Sequence, residues 1–125
     1  MDNQQERSLF KIGYLLGIID GEGHLGLRHQ WQKGGTVQIS PVLQIVNCSE
    51  ELINLVGGYM KDLGLPVYMI RRKSYRPNQR DTYSILLKGM KRLSRVLDVI
   101  LKYPFIKSKR AELMKEYINY RLGSP

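Results

Sequence analysis

The chain has 125 residues, 42% of them hydrophobic, and its 20 Lys and Arg against 11 Asp and Glu give a formal net charge of +9. That apolar content suffices for one domain, residues 1–125, with a real core; the single cysteine excludes an internal disulfide, and no apolar run approaches the ~20 residues of a membrane span. Because so large a positive surplus on a small protein repels itself, charge favours a polyanionic partner, nucleic acid above all, without separating DNA from RNA.

Periodic Leu9, Phe10, Ile12 and Leu16 predict a first helix over residues 8–20. Gly13 and Gly17 within it and Gly21 at its end recur at every fourth position, so on a helix they share one face and leave a groove free of side chains. Each interior glycine costs about 1 kcal/mol of helix stability relative to alanine, so a row of them predicts a compensating close contact with a second helix. The helix should end at the glycines of Leu15-Leu16-Gly17-Ile18-Ile19-Asp20-Gly21-Glu22-Gly23. This places Asp20, Gly21 and Glu22 where the macrodipole is negative and backbone carbonyls lack partners, a poor place for carboxylates. If two such helices pack side by side, carboxylates and free carbonyls converge, and an all-oxygen site of that kind suits a hard divalent ion such as Mg²⁺. On the residues alone, a plain helix stop is the alternative.

After this segment the apolar period changes from helical to alternating. His24 to Trp31 predicts a strand, Lys33-Gly34-Gly35 a turn, and Val37 to Val46 the return strand, with Val37, Ile39, Leu43 and Ile45 on one side and Gln38, Ser40 and Gln44 on the other. Pro41 predicts a bulge or a position without a ladder hydrogen bond. A helix follows from Ser49, its N-cap, to Leu63, with Gly57-Gly58 weakening its middle and Gly64 as its stop. A second hairpin is expected over Val67–Tyr75 and Thr82–Lys88. Residues 90–101 read as a third helix, and Ser108 is expected to cap a fourth that reaches Arg121.

The order predicts an α+β fold, αββαββα with a further α, in which helices cover one face of a four-stranded antiparallel sheet. The other face is then Arg28, Gln30, Gln38, Ser40 and Gln44 in the first hairpin and Arg71, Lys73, Thr82, Ser84 and Lys88 in the second. Arg and Gln can address guanine and adenine edges bidentately, and a two-stranded ribbon fits the major groove. A simply solvated face would look similarly polar. Residues 71–80 hold Arg71, Arg72, Lys73, Arg76 and Arg80 around Tyr75 without an acid, which predicts a phosphate-facing loop in which Arg76 and Arg80 contact the backbone. His24 and His29 are expected on the DNA-facing or outer surface rather than on a metal. Cys48 is expected as a packed or partly buried thiol in a reducing, intracellular setting. No Ser-His-Asp or Cys-His set can be assembled for covalent catalysis.

The nine residues Leu15 to Gly23 resemble the signature of the LAGLIDADG homing endonucleases, with its glycines (Gly17, Gly23), its apolar frame and its acid-small-acid-Gly ending. They depart from it at Leu16, where that signature has Ala, and at Glu22, where it has Asp. The resemblance implies a saddle-like sheet and, with one copy of the motif, a homodimer whose motif helices pack across a two-fold axis through Gly13, Leu16, Gly17 and Gly21. It implies an enzyme dependent on Mg²⁺, or another divalent cation such as Mn²⁺, that hydrolyses both strands of a long pseudo-palindromic double-stranded DNA site and leaves 3′ overhangs. Neither a membrane nor a small-molecule substrate is implied. Glu22 matches the essential metal-binding carboxylate and Gly21 the residue whose carbonyl helps hold the ion. Asp20 matches the first acid, more often a helix-end residue. Asn47 is similar to the polar residue that positions water, and Lys109 to the lysine that stabilises charge at the phosphate, with Lys107 or Arg110 as substitutes for it. A lapsed relative, acting as an intron maturase or transcription regulator, is the alternative; the presence of Glu22 favours the enzyme.

Overall fold

The computed structural model describes residues 2–123. Its elements follow in the order α1 (Asn3–Glu22), β1 (Gly23–Trp31), β2 (Val37–Asn47), α2 (Glu50–Asp62), β3 (Met69–Arg72), β4 (Thr82–Lys88), α3 (Met90–Ile100) and α4 (Ser108–Leu122). Helix α1 starts well before residue 8 because Asp2 and Gln5 form a capping box: the Asp2 carboxylate accepts the Gln5 N–H at 2.7 Å and the Gln5 side chain accepts the Asp2 N–H at 3.2 Å. Ser49 caps α2 as expected, its hydroxyl accepting the Leu52 N–H at 3.1 Å. Gly57 does not merely weaken α2. A Cβ there would lie 2.9 Å from Met69 Sδ, so the missing side chain is what lets the approach to β3 lie against the helix.

The strands form one antiparallel sheet in the order β1-β2-β4-β3. The β1–β2 register runs unbroken from Gly23↔Ile45 to Trp31↔Val37, so Pro41 makes no bulge. Pro41 lies one residue beyond the end of the β2–β4 ladder, where β2 has a neighbour on one side only and a missing N–H is tolerated. Side chains alternate across the sheet. Leu25, Leu43, Ile45, Ile85 and Leu87 turn to the helices and are buried against Leu15 and Ile19 of α1, Ile53 and Met60 of α2, Leu93 and Leu97 of α3 and Ile118 of α4. The expected alternation of the first hairpin holds in register but not in burial. Beyond Leu25 the strand pair outruns the core, and Leu27, Val37 and Trp31, the last 78% accessible, stand exposed.

Three further expectations are corrected. Strand β3 ends at Arg72 rather than Tyr75, because the Asp81 carboxylate accepts the Ser74 N–H at 3.0 Å and Arg71 Nη2 at 2.9 Å and folds the chain out of the sheet. Ser108 is the first residue of α4 and makes no cap; Lys107 holds the cap position. Cys48, just past the end of β2, is exposed. Among the described residues no helix is long and apolar enough to cross a membrane.

Candidate active site and nucleic-acid interface

The end of α1 is shaped by Gly23. Its N–H closes the last helical turn onto the Ile18 and Ile19 carbonyls while its own backbone is already extended, at φ −83° and ψ 149°. A Cβ at this position would lie 2.8 Å from the Ile19 backbone, so only glycine lets the chain pass from the helix directly into β1. Glu22 is thereby left at the tip of the helix with an exposed side chain. Asn47, at the end of β2, donates from Nδ2 to Glu22 Oε2 at 2.7 Å, and its Oδ1 accepts the Ser49 N–H at 2.8 Å. Because Oδ1 is fixed by a backbone donor, the amide can present only its NH₂ to Glu22. Sheet end, helix end and the N-cap of α2 thus converge on one carboxylate.

Asp20, placed beside Glu22 in the expected chemistry, is used differently. Its oxygens accept the N–H groups of Ile106 at 2.8 Å and Lys107 at 3.0 Å, so it caps α4 from another helix. This contact makes Asp20 a fastener of the α3–α4 connection rather than an open ligand. Lys109, expected at the phosphate, stands apart from these groups. It is exposed, and among the described residues no hydrogen bond or ion pair joins it to Asp20, Glu22 or Asn47. Lys107, the expected substitute, reaches the helix end instead, with its ammonium on the Ile19 carbonyl at 2.9 Å and on the Gly23 carbonyl. The residue spacing could not decide between them, because Lys107 lies just before α4 and Lys109 within its first turn. Arg110 is turned toward the Leu25 carbonyl at 3.4 Å.

Among the described residues no group of three or more His, Cys, Asp and Glu side chains could hold a metal ion. What the chain offers is the Glu22 carboxylate and the carbonyl-lined end of α1 that includes Gly21. These are hard oxygen donors of the kind Mg²⁺ takes, but they amount to part of its octahedral shell. A divalent cation therefore fits here only if phosphate, water or a second copy of the chain completes it.

The face of the sheet opposite the helices carries a polar row. Across β1 and β2 the paired positions Arg28↔Ser40, Gln30↔Gln38 and His24↔Gln44 share that face, continued by Lys88 opposite Val42 and by Arg72 opposite Thr82. Gln38 is steadied by a hydrogen bond that Gln32 Nε2 donates to its Oε1 at 2.7 Å. Arg71 and Lys73 were expected here and are not. Arg71 pairs with Tyr83 on the helix-covered side, while Lys73 lies beyond the strand. Arg72 takes that row instead, beside Lys88, which lies where expected, and His24 joins it; the register of the short β3, Met69-Ile70-Arg71-Arg72, one residue out of phase with the expected one, could not be read from two apolar residues followed by two arginines. Arg71 works locally, bonded to Asp81 and lying 5.8 Å from the Tyr83 ring centroid. The Ser74 N–H, followed by Arg71, holds the Asp81 carboxyl below the ordinary carboxylate range, and Asp81 in turn raises the Arg71 guanidinium. This acid adjoins the basic run and organises the loop from which Arg76, Arg80 and the fully exposed Tyr75 project.

Gly13, Gly17 and Gly21 lie on an open side of α1, where a Cβ added at any of them would meet nothing within 4 Å. Leu9 and Phe10, 41% and 62% accessible, border that row. Leu16 does not belong to it. Its side chain points inward and is 8% accessible, part of the core, which corrects its expected place in an interface.

No family model matches the chain, and no curated protein matches it in sequence. Solved structures do match. It superposes on the archaeal intron-encoded homing endonuclease I-Vdi141I, complexed with DNA, with TM-score 0.68 and 23% identity over 91% of this chain and 70% of that one. I-CvuI, a homing endonuclease in complex with the I-CreI target in the presence of Mg, matches with TM-score 0.69 and 19% identity over 90% and 68%. The LAGLIDADG meganuclease I-CpaMI, bound to uncleaved DNA, matches with TM-score 0.65 and 18% identity over 90% of this chain but only 38% of its own length. The chain thus has the LAGLIDADG homing-endonuclease fold.

Proposed function

We propose that the protein is a homodimeric, site-specific DNA endonuclease that uses a divalent cation, Mg²⁺ or Mn²⁺, to hydrolyse both strands of a long pseudo-palindromic target. The observation that carries this reading is the position of Glu22, at the tip of a helix whose glycine face is open, beside a sheet face lined with Arg and Gln. Pairing two α1 helices through that face would cover Leu9 and Phe10, supply the close contact the glycines call for, and bring two Glu22 carboxylates and two helix ends together. The match to little more than a third of I-CpaMI is what a unit used twice would produce.

In this arrangement Glu22 and the Gly21 carbonyl would hold the cation. When bound, it would supply Lewis-acid stabilisation of charge on the scissile phosphate. Asn47 keeps the Glu22 carboxylate aimed through its NH₂ donor. Arg28, Gln30, Gln38 and Gln44 read base edges, with Arg72 and Lys88 extending the same face, while Arg76 and Arg80 hold phosphates. Strand β1 has 9 residues. At ~3.3 Å each they span about 30 Å, or about nine base pairs, so two protomers would cover about eighteen. The test is to incubate the purified protein with a randomised duplex library, with Mg²⁺ or with a chelator, and sequence the broken ends. Mg²⁺-dependent breaks at one site with two-fold symmetric half-sites are expected; binding to a selected site without any breakage would favour a binding-only relative.

A further inference from the structure

We propose that Lys107 is a positioning residue that fixes Glu22 by acting as a built-in counterion at the end of α1. The inference rests on the reading of Glu22 as the cation ligand. Helix α1 has no basic residue in its last turn, although that turn presents the negative end of the helix dipole and carries Asp20 and Glu22. The compensating charge comes from elsewhere in the chain. The Lys107 ammonium bonds the carbonyls of Ile19 and Gly23, which bracket Glu22 on its two sides. The Lys107 N–H is itself held by Asp20 Oδ1 at 3.0 Å.

The two helix ends are therefore capped reciprocally. An anion from α1 sits at the positive start of α4, and a cation from the start of α4 sits at the negative end of α1. Lys107 touches neither the carboxylate of Glu22 nor any group expected to contact DNA. It acts through the backbone that carries Glu22. With that turn held by an internal cation, the helix end keeps its shape before any divalent ion arrives, and Glu22 need not be ordered by the ion it binds.

The experiment compares Lys107→Gln, Lys107→Met and Lys107→Arg with the natural chain. Without DNA or metal, amide hydrogen exchange at Glu22 and Gly23 should speed up in Lys107→Gln and Lys107→Met while core amides of Leu43 and Leu97 keep their rates; Lys107→Arg should restore slow exchange. On the cleavage site, affinity for DNA without metal should be unchanged, whereas the Mg²⁺ concentration for half-maximal cleavage should rise about tenfold or more, as it does when a group behind a metal ligand is removed. Unchanged exchange at Glu22 and Gly23, or acceleration of all amides together, would overturn the proposal. So would an unchanged Mg²⁺ dependence alongside a lowered melting temperature, the mark of a purely structural cap. If the natural chain cuts no DNA, the proposed function fails, and the exchange comparison still decides whether Lys107 holds the turn.

Discussion

Substitution of Gly17 separates the open helix face seen in one protomer from the closed interface proposed for two. In the protomer nothing lies within 4 Å of a Cβ at Gly13, Gly17 or Gly21, so a side chain there meets only solvent. Removing a glycine from a helix interior should then stabilise the isolated protomer by about 1 kcal/mol, a rise in melting temperature of about 3–5 °C for a chain of this size. In the dimer the same atoms would meet the partner helix. Two-fold symmetry doubles every inserted group, and overpacking costs about 1–3 kcal/mol for each. Gly17→Leu should consequently sediment as a monomer at micromolar concentration, keep its helical circular dichroism, and unfold at or above the temperature of the monomeric natural chain. A Gly17→Leu protein that associates as tightly as the natural chain would refute the glycine-face interface. A monomeric Gly17→Ala that is less stable than its parent would refute the open face itself.

Asp20→Ala should lower stability by about 1–3 kcal/mol in thermal unfolding, because it leaves the Ile106 and Lys107 amides without an acceptor; an unchanged melting curve would remove its capping role. Arg72→Ala should cost about 1–3 kcal/mol of specific binding and relax base preference in each half-site. Arg71→Ala should act only through the loop, so equal specificity profiles for the two variants, from binding selections, would contradict the register of β3. The loop should also respond to pH. Since the Asp81 pKa is depressed in the folded chain, its contribution is fully present above the ordinary carboxylate range and is lost as pH falls through the depressed value. Protection of the Ser74 amide should follow that course and lose it in Asp81→Asn, whereas Arg71, cationic throughout, contributes no step.

Much of this was legible in the residues because several signals agreed at each point. Ser49 followed by two glutamates, the alternation in His24–Trp31 and the apolar stripes of residues 90–101 each have a local cause, and each element lies where its pattern places it. What escaped depended on contacts distant in sequence. That Asp20 would cap α4 needed the pairing of positions 86 and 87 residues apart, and that Lys107 rather than Lys109 reaches the end of α1 needed the start of α4. Leu16 fits both a glycine groove and a core by its type, and only the packing of α1 on the sheet turns it inward. The short β3 hid its register because Arg71 and Arg72 are alike in charge, and Asp81, just outside the basic run, decides which of them the loop consumes.

The most direct test of the proposed chemistry is Glu22→Gln, measured for binding and cleavage on the same DNA site. The amide keeps the shape of the side chain and removes its charge, so the protein should bind its target as tightly as the natural chain, or more tightly as repulsion from phosphate is relieved. Mg²⁺-dependent cleavage should fall by orders of magnitude. Undiminished cleavage by Glu22→Gln at equal binding would contradict the assignment of Glu22 and with it the account of the site.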